Sequence, residues 1–284
     1  MRRLTRVFVA FALVLVAVPV TAAPGLAETG SAPIYLALGD SWAYGQGATD
    51  PATGGYVAQL YGSLKVELDC IPAEPEQVPD GCKHLQLVNL GRPGTAAMPG
   101  VTAPLVKAEQ LPVAEALLTR NHDDNPVNDV EVITLHVGGN DVVGPILAAC
   151  IGGFSPECQQ VFVAEMTALQ ADLAEVVGAL RAAAGPDTPI VIGTYDNPVP
   201  FCDLNGIPGA ALLGEFVLEG IPGTGISGVN DIVRGVAAAF GAEVAEVFGD
   251  LDVAGDWLGG ADCLHPADTG YDEVTDAFEE ALGF

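Results

Sequence analysis

Short apolar runs alternate with amphipathic segments along most of the chain. Five runs are rich in β-branched residues and predict strands at residues 34–38, 87–90, 132–137, 190–194 and 243–247. Between them, apolar residues recur at helical spacing, most clearly at Met166, Leu169, Leu173, Val176 and Leu180, ahead of Gly185. Strands that alternate with helices indicate βαβ units and a parallel sheet covered by helices on both faces.

The C-terminal segment predicts one more helix. Thr269-Gly270-Tyr271-Asp272 fits a capping box at its start, and Val274, Phe278 and Ala281 fall on one helical face. Two long segments, 69–83 and 201–230, interrupt the regular pattern. Because the chain has no internal repeat and no Ser- or Gly-rich linker, we expect a single domain over residues 28–284.

The N-terminal segment is of a different kind. Arg2, Arg3 and Arg6 precede the apolar run 7–20, which is followed by small residues as far as Ala27. This order is typical of a secretory signal peptide, which we assign to residues 1–27 with cleavage after Ala22 or Ala27. The run is shorter than the roughly 20 residues of a membrane-spanning helix. We therefore expect a secreted, extracellular protein without stable membrane insertion.

The charge balance narrows the range of partners. The 284 residues include 37 acidic and 10 basic residues, for a formal charge of −27. Loss of the three arginines of residues 1–27 takes the formal charge to about −30. Such a surface repels nucleic acid and anionic lipid, so we expect neither as a partner. We expect the protein to act as a monomer.

Six cysteines in an exported chain predict three disulfides, although sequence alone allows 15 pairings. Two pairs flank short loops and are expected to close them: Cys70 with Cys82, and Cys150 with Cys158. Cys202 and Cys263 remain as the third pair. The sequence contains no Cys-x-x-Cys motif, which argues against a zinc site. The acidic stretch 121–129 does not match a calcium-binding EF-hand loop. We assign no metal and no cofactor.

Residues suited to acyl transfer follow the predicted strands. Ser41 comes after the first strand, Gly91 after the second and Asn140 after the third, while Asp262 and His265 precede the last helix. Because the carboxyl ends of parallel strands meet at one edge of a sheet, we expect these residues to lie close together. Taken alone, the stretch around Ser41 favours a simpler interpretation, in which Ser41 is the cap of the helix that follows.

Each residue has a role that its chemistry supports. A neutral imidazole can deprotonate an attacking hydroxyl near neutral pH, which fits His265 as the base and Ser41 as the nucleophile. Asp262 can orient the imidazole. The backbone N–H groups of Ser41 and Gly91 and the side-chain amide of Asn140 can supply an oxyanion hole.

Together these motifs resemble the SGNH (GDSL) esterase and lipase family, from about residue 34 to the C-terminus. The resemblance implies a three-layer α/β/α, flavodoxin-like sandwich with a five-stranded parallel sheet. It implies Ser41, Asp262 and His265 as the catalytic triad and Ser41, Gly91 and Asn140 as the oxyanion hole. Trp42 stands where the family often has Leu, which should change the packing behind the serine and leave the chemistry intact. The α/β-hydrolases fit less well, because their Gly-x-Ser-x-Gly motif is absent around Ser41.

The resulting hypothesis is hydrolysis of a small-molecule or lipid carboxylic ester through an acyl-enzyme, without a cofactor. A polysaccharide deacetylase of the same fold and a non-catalytic binding module are the alternatives. Six apolar residues of segment 201–230 are predicted to form either an acyl-chain wall or an ordinary core helix: Leu212, Leu213, Phe216, Val217, Ile221 and Ile226. His136 is predicted to be a core strand residue, and His84 and His122 to be exposed.

Overall fold

Five parallel strands form the central sheet of the protein, seen here in a computed structural model that describes residues 32–67, 85–94, 100–121, 129–150, 152–259 and 262–284. The strands are β1 (Ile34–Gly39), β2 (Gln86–Asn89), β3 (Val130–His136), β4 (Ile190–Gly193) and β5 (Glu243–Ala245). Their order across the sheet is β2-β1-β3-β4-β5. All five predicted strands are present, with ends shifted by one or two residues, and the α/β fold with a parallel sheet is confirmed.

The helices connect and follow these strands. They are α1 (Ser41–Tyr44), α2 (Pro51–Gly54), α3 (Tyr56–Glu67), α4 (Ala103–Leu105), α5 (Leu111–Asn121), α6 (Gly139–Cys150), α7 (Pro156–Ala184), α8 (Ala210–Glu219), α9 (Val229–Phe240) and α10 (Asp268–Leu282). A π-helical turn, Val106–Gln110, joins α4 to α5. Short 3₁₀ turns lie at Val199–Phe201, Asp203–Gly206 and Ala254–Asp256.

The helices form layers on the two faces of the sheet. Helix α3 packs against α10, whereas α7 packs against α5 and α9. Crossover connections are right-handed, so reversing the direction of strand addition moves the next helices to the opposite face. That reversal occurs between β1 and β3. Covered on both faces, β1 is buried along its whole length.

The reversal also locates a crevice. In open α/β sheets, ligands bind beyond the carboxyl ends of the two strands where the winding direction changes. Here those strands are β1 and β3, and the residues that follow them include Ser41 and Asn140. The topology therefore brings two of the sequence-predicted residues to this crevice.

Helix ends show which local signals the fold uses. Helix α7 ends at Gly185 as predicted, and all five of its predicted apolar positions are buried. The predicted capping box of α10 is wrong: the helix begins at Asp268, and its N-cap residue Ala267 makes no side-chain bond. The Thr269 hydroxyl donates instead to the Gly255 carbonyl, at 2.8 Å. Thr269 therefore bonds a carbonyl outside the helix instead of capping the helix.

Two disulfides join described cysteines, Cys150 to Cys158 and Cys202 to Cys263. The first closes a loop of eight-residue separation and the second spans 61 positions. The predictions for residues 1–27, for Cys70 and Cys82, for His84 and His122, and for most of segment 121–129 fall outside the described residues. Of the helices that the structure describes, none has the length and apolarity needed to cross a membrane.

Candidate active site

The turn between β1 and α1 presents Ser41. Gly39 has φ +140°, and a Cβ at that position would lie 2.2 Å from the His136 carbonyl oxygen, so only glycine fits. The cap of α1 is Asp40 rather than Ser41, because an Asp40 carboxylate oxygen accepts from the Trp42 N–H at 2.9 Å. Ser41 is the first helical residue, and its hydroxyl is not consumed in capping.

The Ser41 hydroxyl meets the loop before α10. Ser41 Oγ lies 2.9 Å from His265 Nε2, and His265 Nδ1 is hydrogen-bonded to Asp262 Oδ1. A carboxylate at Nδ1 holds the ring hydrogen on that nitrogen, which leaves Nε2 free to accept the Ser41 hydroxyl proton. The structure thus brings Ser41 next to a histidine–aspartate pair that lies more than 200 positions later in the chain.

The loop that carries His265 has its own attachments. The Trp42 indole N–H donates to the Leu264 carbonyl at 3.0 Å, and the Leu258 N–H donates to the His265 carbonyl at 3.1 Å. The Cys202–Cys263 disulfide links the same loop to the segment that follows β4. Trp42, expected only to change packing, therefore also hydrogen-bonds the residue that precedes His265.

Two of the three expected oxyanion donors face the site. The Ser41 N–H meets no acceptor among the described residues. Asn140 lies in the first turn of α6, and its Nδ2 donates one hydrogen to the Val101 carbonyl at 3.0 Å. The amide carries a second N–H, and Asn140 lines the same cavity as Ser41. Gly100 lets the chain pass against this side chain, since a Cβ there would lie 2.5 Å from it.

The third expected donor, Gly91, is otherwise engaged. Its N–H donates to Asn89 Oδ1 at 2.8 Å, and Gly91 is not among the residues that line the cavity beside Ser41. A Cβ on Gly91 would lie 2.8 Å from the backbone of Ala43 and Tyr44. Gly91 thus allows the chain after β2 to pack closely against α1, and in this structure its N–H bonds Asn89, while its part in an oxyanion hole stays a prediction.

A glutamine that the sequence analysis did not single out hydrogen-bonds the turn between β1 and α1, which we call the nucleophile turn because it presents Ser41. Gln110, 3% exposed, ends the π-helical turn, and its side-chain amide bonds the backbone of Gly39 twice. Oε1 accepts from the Gly39 N–H and Nε2 donates to the Gly39 carbonyl, both at 2.8 Å. π-Helical turns are rare and frequently occur at functional sites. The turn places a buried amide directly behind the residues that present Ser41.

Asp40, the residue before Ser41, has a buried carboxyl group. The Tyr195 hydroxyl donates to Asp40 Oδ2 at 2.6 Å, and Asn230 bonds both the N–H and the carbonyl of Tyr195 at 2.9 Å. Burial raises the pKa of Asp40 to about 7, against the opposing effect of the Tyr195 bond. The same burial lowers the pKa of His136 to about 3, and this histidine is fully buried in β3, which confirms its core assignment.

An apolar cavity of about 340 Å³ opens beside Ser41, Asn140 and His265. Val143 and Leu147 of α6 line one side, and Ala210, Leu213 and Val217 of α8 line another. Of the six apolar residues left open in segment 201–230, Leu213 and Val217 therefore face the cavity. Leu212 is 57% exposed, and Ile221 pairs with Ile226 in a separate bridge.

The loop after β4 supplies residues that sequence reasoning passed over. Tyr195, Asp196 and Asn197 all line the cavity. Asp196 accepts from the N–H groups of Gly249 and Leu251, so it ties this loop to the segment after β5. The rule that located Ser41 and Asn140 applies here too, because these polar residues directly follow a predicted strand.

Comparison with known proteins points to one family. Residues 37–273 match the GDSL-like lipase/acylhydrolase family. Among curated proteins, none matches the chain.

Three solved structures share the fold at low identity. An extracellular lipase from Streptomyces rimosus has a TM-score of 0.55 at 18% identity, over 88% of this chain and all of that one. A lipase from a goat rumen metagenome has a TM-score of 0.52 at 16% identity, over 87% and 96%. A catalytic mutant of an acetylxylan esterase from Geobacillus stearothermophilus has a TM-score of 0.50 at 16% identity, over 90% and 95%.

Proposed function

The chain belongs to the GDSL-like lipase/acylhydrolase family and is a carboxylic ester hydrolase, and from this premise we propose that it cleaves esters through an acyl-enzyme on Ser41. One observation carries the proposal. The Ser41, His265 and Asp262 side chains form a continuous hydrogen-bonded series at the opening of an apolar cavity. Such a series can activate a hydroxyl, and such a cavity can hold its acyl substrate.

In the first half-reaction, His265 Nε2 takes the Ser41 proton as Oγ attacks the ester carbonyl carbon. Asp262, bonded at Nδ1, stabilises the imidazolium that results. The imidazolium then returns its proton to the departing alkoxide oxygen. The alcohol leaves, and the acyl group remains on Oγ.

The negative charge that develops on the carbonyl oxygen needs fixed donors. The Ser41 N–H and the second Nδ2 hydrogen of Asn140 supply them in this proposal, whereas the Gly91 N–H is held by Asn89. In the second half-reaction, water attacks the acyl-enzyme with His265 as base. The carboxylic acid is released, and Ser41 recovers its proton.

The shape of the cavity favours an acyl-chain ester over an acetylated polysaccharide. Aliphatic side chains from α6 and α8 line much of it, and the polar side chains of Tyr195, Asp196 and Asn197 already bond other parts of the protein. We therefore propose lipase-like or esterase activity on neutral esters, with polysaccharide deacetylation as the alternative. The acetylxylan esterase among the similar structures shares the fold and does not bear on this choice.

Export is part of the proposal. Residues 1–27 have the pattern of a signal peptide, and the two disulfides among the described cysteines suit an oxidising compartment. We propose that residues 28–284 form a single secreted domain that acts as a monomer and needs neither metal nor cofactor.

Labelling of the nucleophile tests the mechanism. A fluorophosphonate probe should modify Ser41 alone, as read by peptide mass mapping. Ser41→Ala should lose the label and lower kcat on a nitrophenyl ester at least about 10⁴-fold. Labelling at another residue, or an active Ser41→Ala variant, would overturn the assignment of Ser41.

A further inference from the structure

A second cavity, of about 200 Å³, adjoins the one beside Ser41. Five residues line both cavities: Leu147, Val199, Leu204, Ala210 and Leu213. The two cavities therefore share an apolar wall, and neither Ser41 nor His265 lines the second one.

The chemistry of the second cavity is uniform. Its remaining lining consists of apolar side chains, glycines and one disulfide cysteine, without a charged residue: Cys150, Gly153, Phe154, Ile207, Pro208, Gly209, Leu212 and Phe216. A lining of this kind offers a ligand dispersion contacts and burial from water, and it offers no partner to a charged group. This lining suits an uncharged, apolar group such as a hydrocarbon chain.

The Cys150–Cys158 disulfide gives this cavity a fixed wall. It closes the loop that carries Gly153 and Phe154, both of which line the second cavity. Phe154 also packs edge-on against Phe162 of α7, with ring centroids 6.5 Å apart. The loop is thus held at both its covalent ends and its aromatic tip, as a binding wall requires.

We propose that the second cavity binds the distal part of the substrate's acyl chain, so that the enzyme prefers medium- and long-chain acyl esters over acetyl and butyryl esters. The inference rests on the proposed function, because the carbonyl end of the chain must lie at Ser41. From there, a linear chain passes between α6 and α8, past Leu147 and Leu213, into the second cavity. Each methylene buried along this path is worth about fourfold in kcat/KM.

The test fills the second cavity without touching the first. Ile207 lines only the second cavity. Ile207→Trp should lower kcat/KM for a nitrophenyl octanoate at least about tenfold and leave the butyrate within about twofold. Val66→Trp, on the exposed face of α3 with Val66 66% exposed, is the matched control and should leave both values unchanged.

A reciprocal variant removes dependence on one substitution. Phe216 also lines only the second cavity, so Phe216→Ala enlarges it and should raise the ratio of palmitate to octanoate kcat/KM. An unchanged chain-length profile in both variants would overturn the acyl-chain proposal, even if butyrate hydrolysis persists. Absence of any Ser41-dependent ester hydrolysis in the wild type would instead overturn the proposed function.

Discussion

Ser41 and His265 lie 2.9 Å apart, yet very different structures hold them. Ser41 is 5% exposed at the end of a central strand, and the turn before it is bonded by Gln110, His136 and Tyr195. The Asp262–His265 loop lies at the surface, where the Asp262 side chain is 53% exposed. This loop depends on the Trp42 indole, one backbone bond and a disulfide.

The comparison shows that buried core contacts position the nucleophile, whereas the acid–base pair is positioned by a few surface contacts and a disulfide. We call these surface contacts and the disulfide the tethers of the acid–base loop. Buried hydrogen bonds are lost together, when the core unfolds, because leaving a single buried polar group unpaired raises the free energy of the folded state. Surface tethers can be lost singly while the protein stays folded. Activity should therefore be more sensitive to changes in the tethers of the acid–base loop than to changes around the nucleophile turn.

The largest effect should come from the exposed acid of the loop. Asp262→Asn removes the charge that orients His265 and stabilises the imidazolium, and kcat should fall about 10³- to 10⁴-fold. KM should change little, because the carboxylate does not contact the acyl chain. Steady-state kinetics on a nitrophenyl ester measure both, with Asp252→Asn as an exposed control. A fall of less than tenfold would remove Asp262 from the triad.

The second largest effect on kcat is expected from loss of the Cys202–Cys263 disulfide. Cys202→Ala with Cys263→Ala frees the loop before His265, and a shift of about 1 Å there can cost on the order of 10²-fold in kcat. Cys150→Ala with Cys158→Ala is the control, measured on a nitrophenyl butyrate, because that bridge borders only the second cavity, which a butyryl chain is not expected to reach.

Stability should follow loop length as well as geometry. In the chain-entropy model the separation of 61 residues is worth about 4 kcal/mol and that of 8 about 2.5 kcal/mol, so the Cys202–Cys263 variant should lose more stability than the Cys150–Cys158 variant. Kinetics are compared at a temperature where both variants keep native circular dichroism. Equal kcat losses in the two double variants would contradict the tether role of Cys202–Cys263.

A smaller effect on rate is expected at the buried brace of the nucleophile turn. Gln110→Leu leaves the Gly39 N–H and carbonyl unpaired and should destabilise the protein by about 2 kcal/mol. The Asp40 N–H still bonds the His136 carbonyl, so the turn should move little and kcat should fall only about tenfold. Denaturant unfolding and phosphonylation rates measure the two effects. A larger rate loss than that of the Cys202–Cys263 variant would reverse the comparison.

The smallest effect on rate, and a distinct effect on stability, is expected at Asp40. Burial raises its pKa to about 7, so the folded protein keeps a proton that the unfolded chain releases near pH 4. Stability is therefore lost as pH rises from about 4 to 7, by at most about 4 kcal/mol. Asp40→Asn should remove this loss while preserving bonds to Trp42 and Tyr195.

Unfolding free energies at several pH values test the prediction. The advantage of Asp40→Asn over the wild type should grow between pH 4 and pH 7, whereas Asp187→Asn, at an exposed position, controls for the loss of a carboxylate elsewhere. A constant difference across this range would mean that Asp40 is ionised in the folded protein.

The fold could be predicted because its signals are local. The strands β1, β3 and β4 are short apolar runs, and α7 shows its apolar face and its terminating glycine in consecutive sequence. Ser41, Asn140 and the Asp262–His265 pair followed from the same reasoning, since residues that follow parallel strands meet at one edge. The capping box of α10 failed because Thr269 found an acceptor in Gly255, outside its own helix.

By itself, then, the sequence determined the α/β sheet, its five strands and the residues carried to its active edge. Only the tertiary structure decided that Gln110 braces Gly39 across 71 positions, that Trp42 reaches Leu264 and that the Gly91 N–H is already bonded. It alone decided that α6 and α8 enclose an apolar cavity. The physical reason is that periodicity and turn chemistry act over a few residues, whereas hydrogen-bond partners and cavities depend on distances set by packing of the whole sheet.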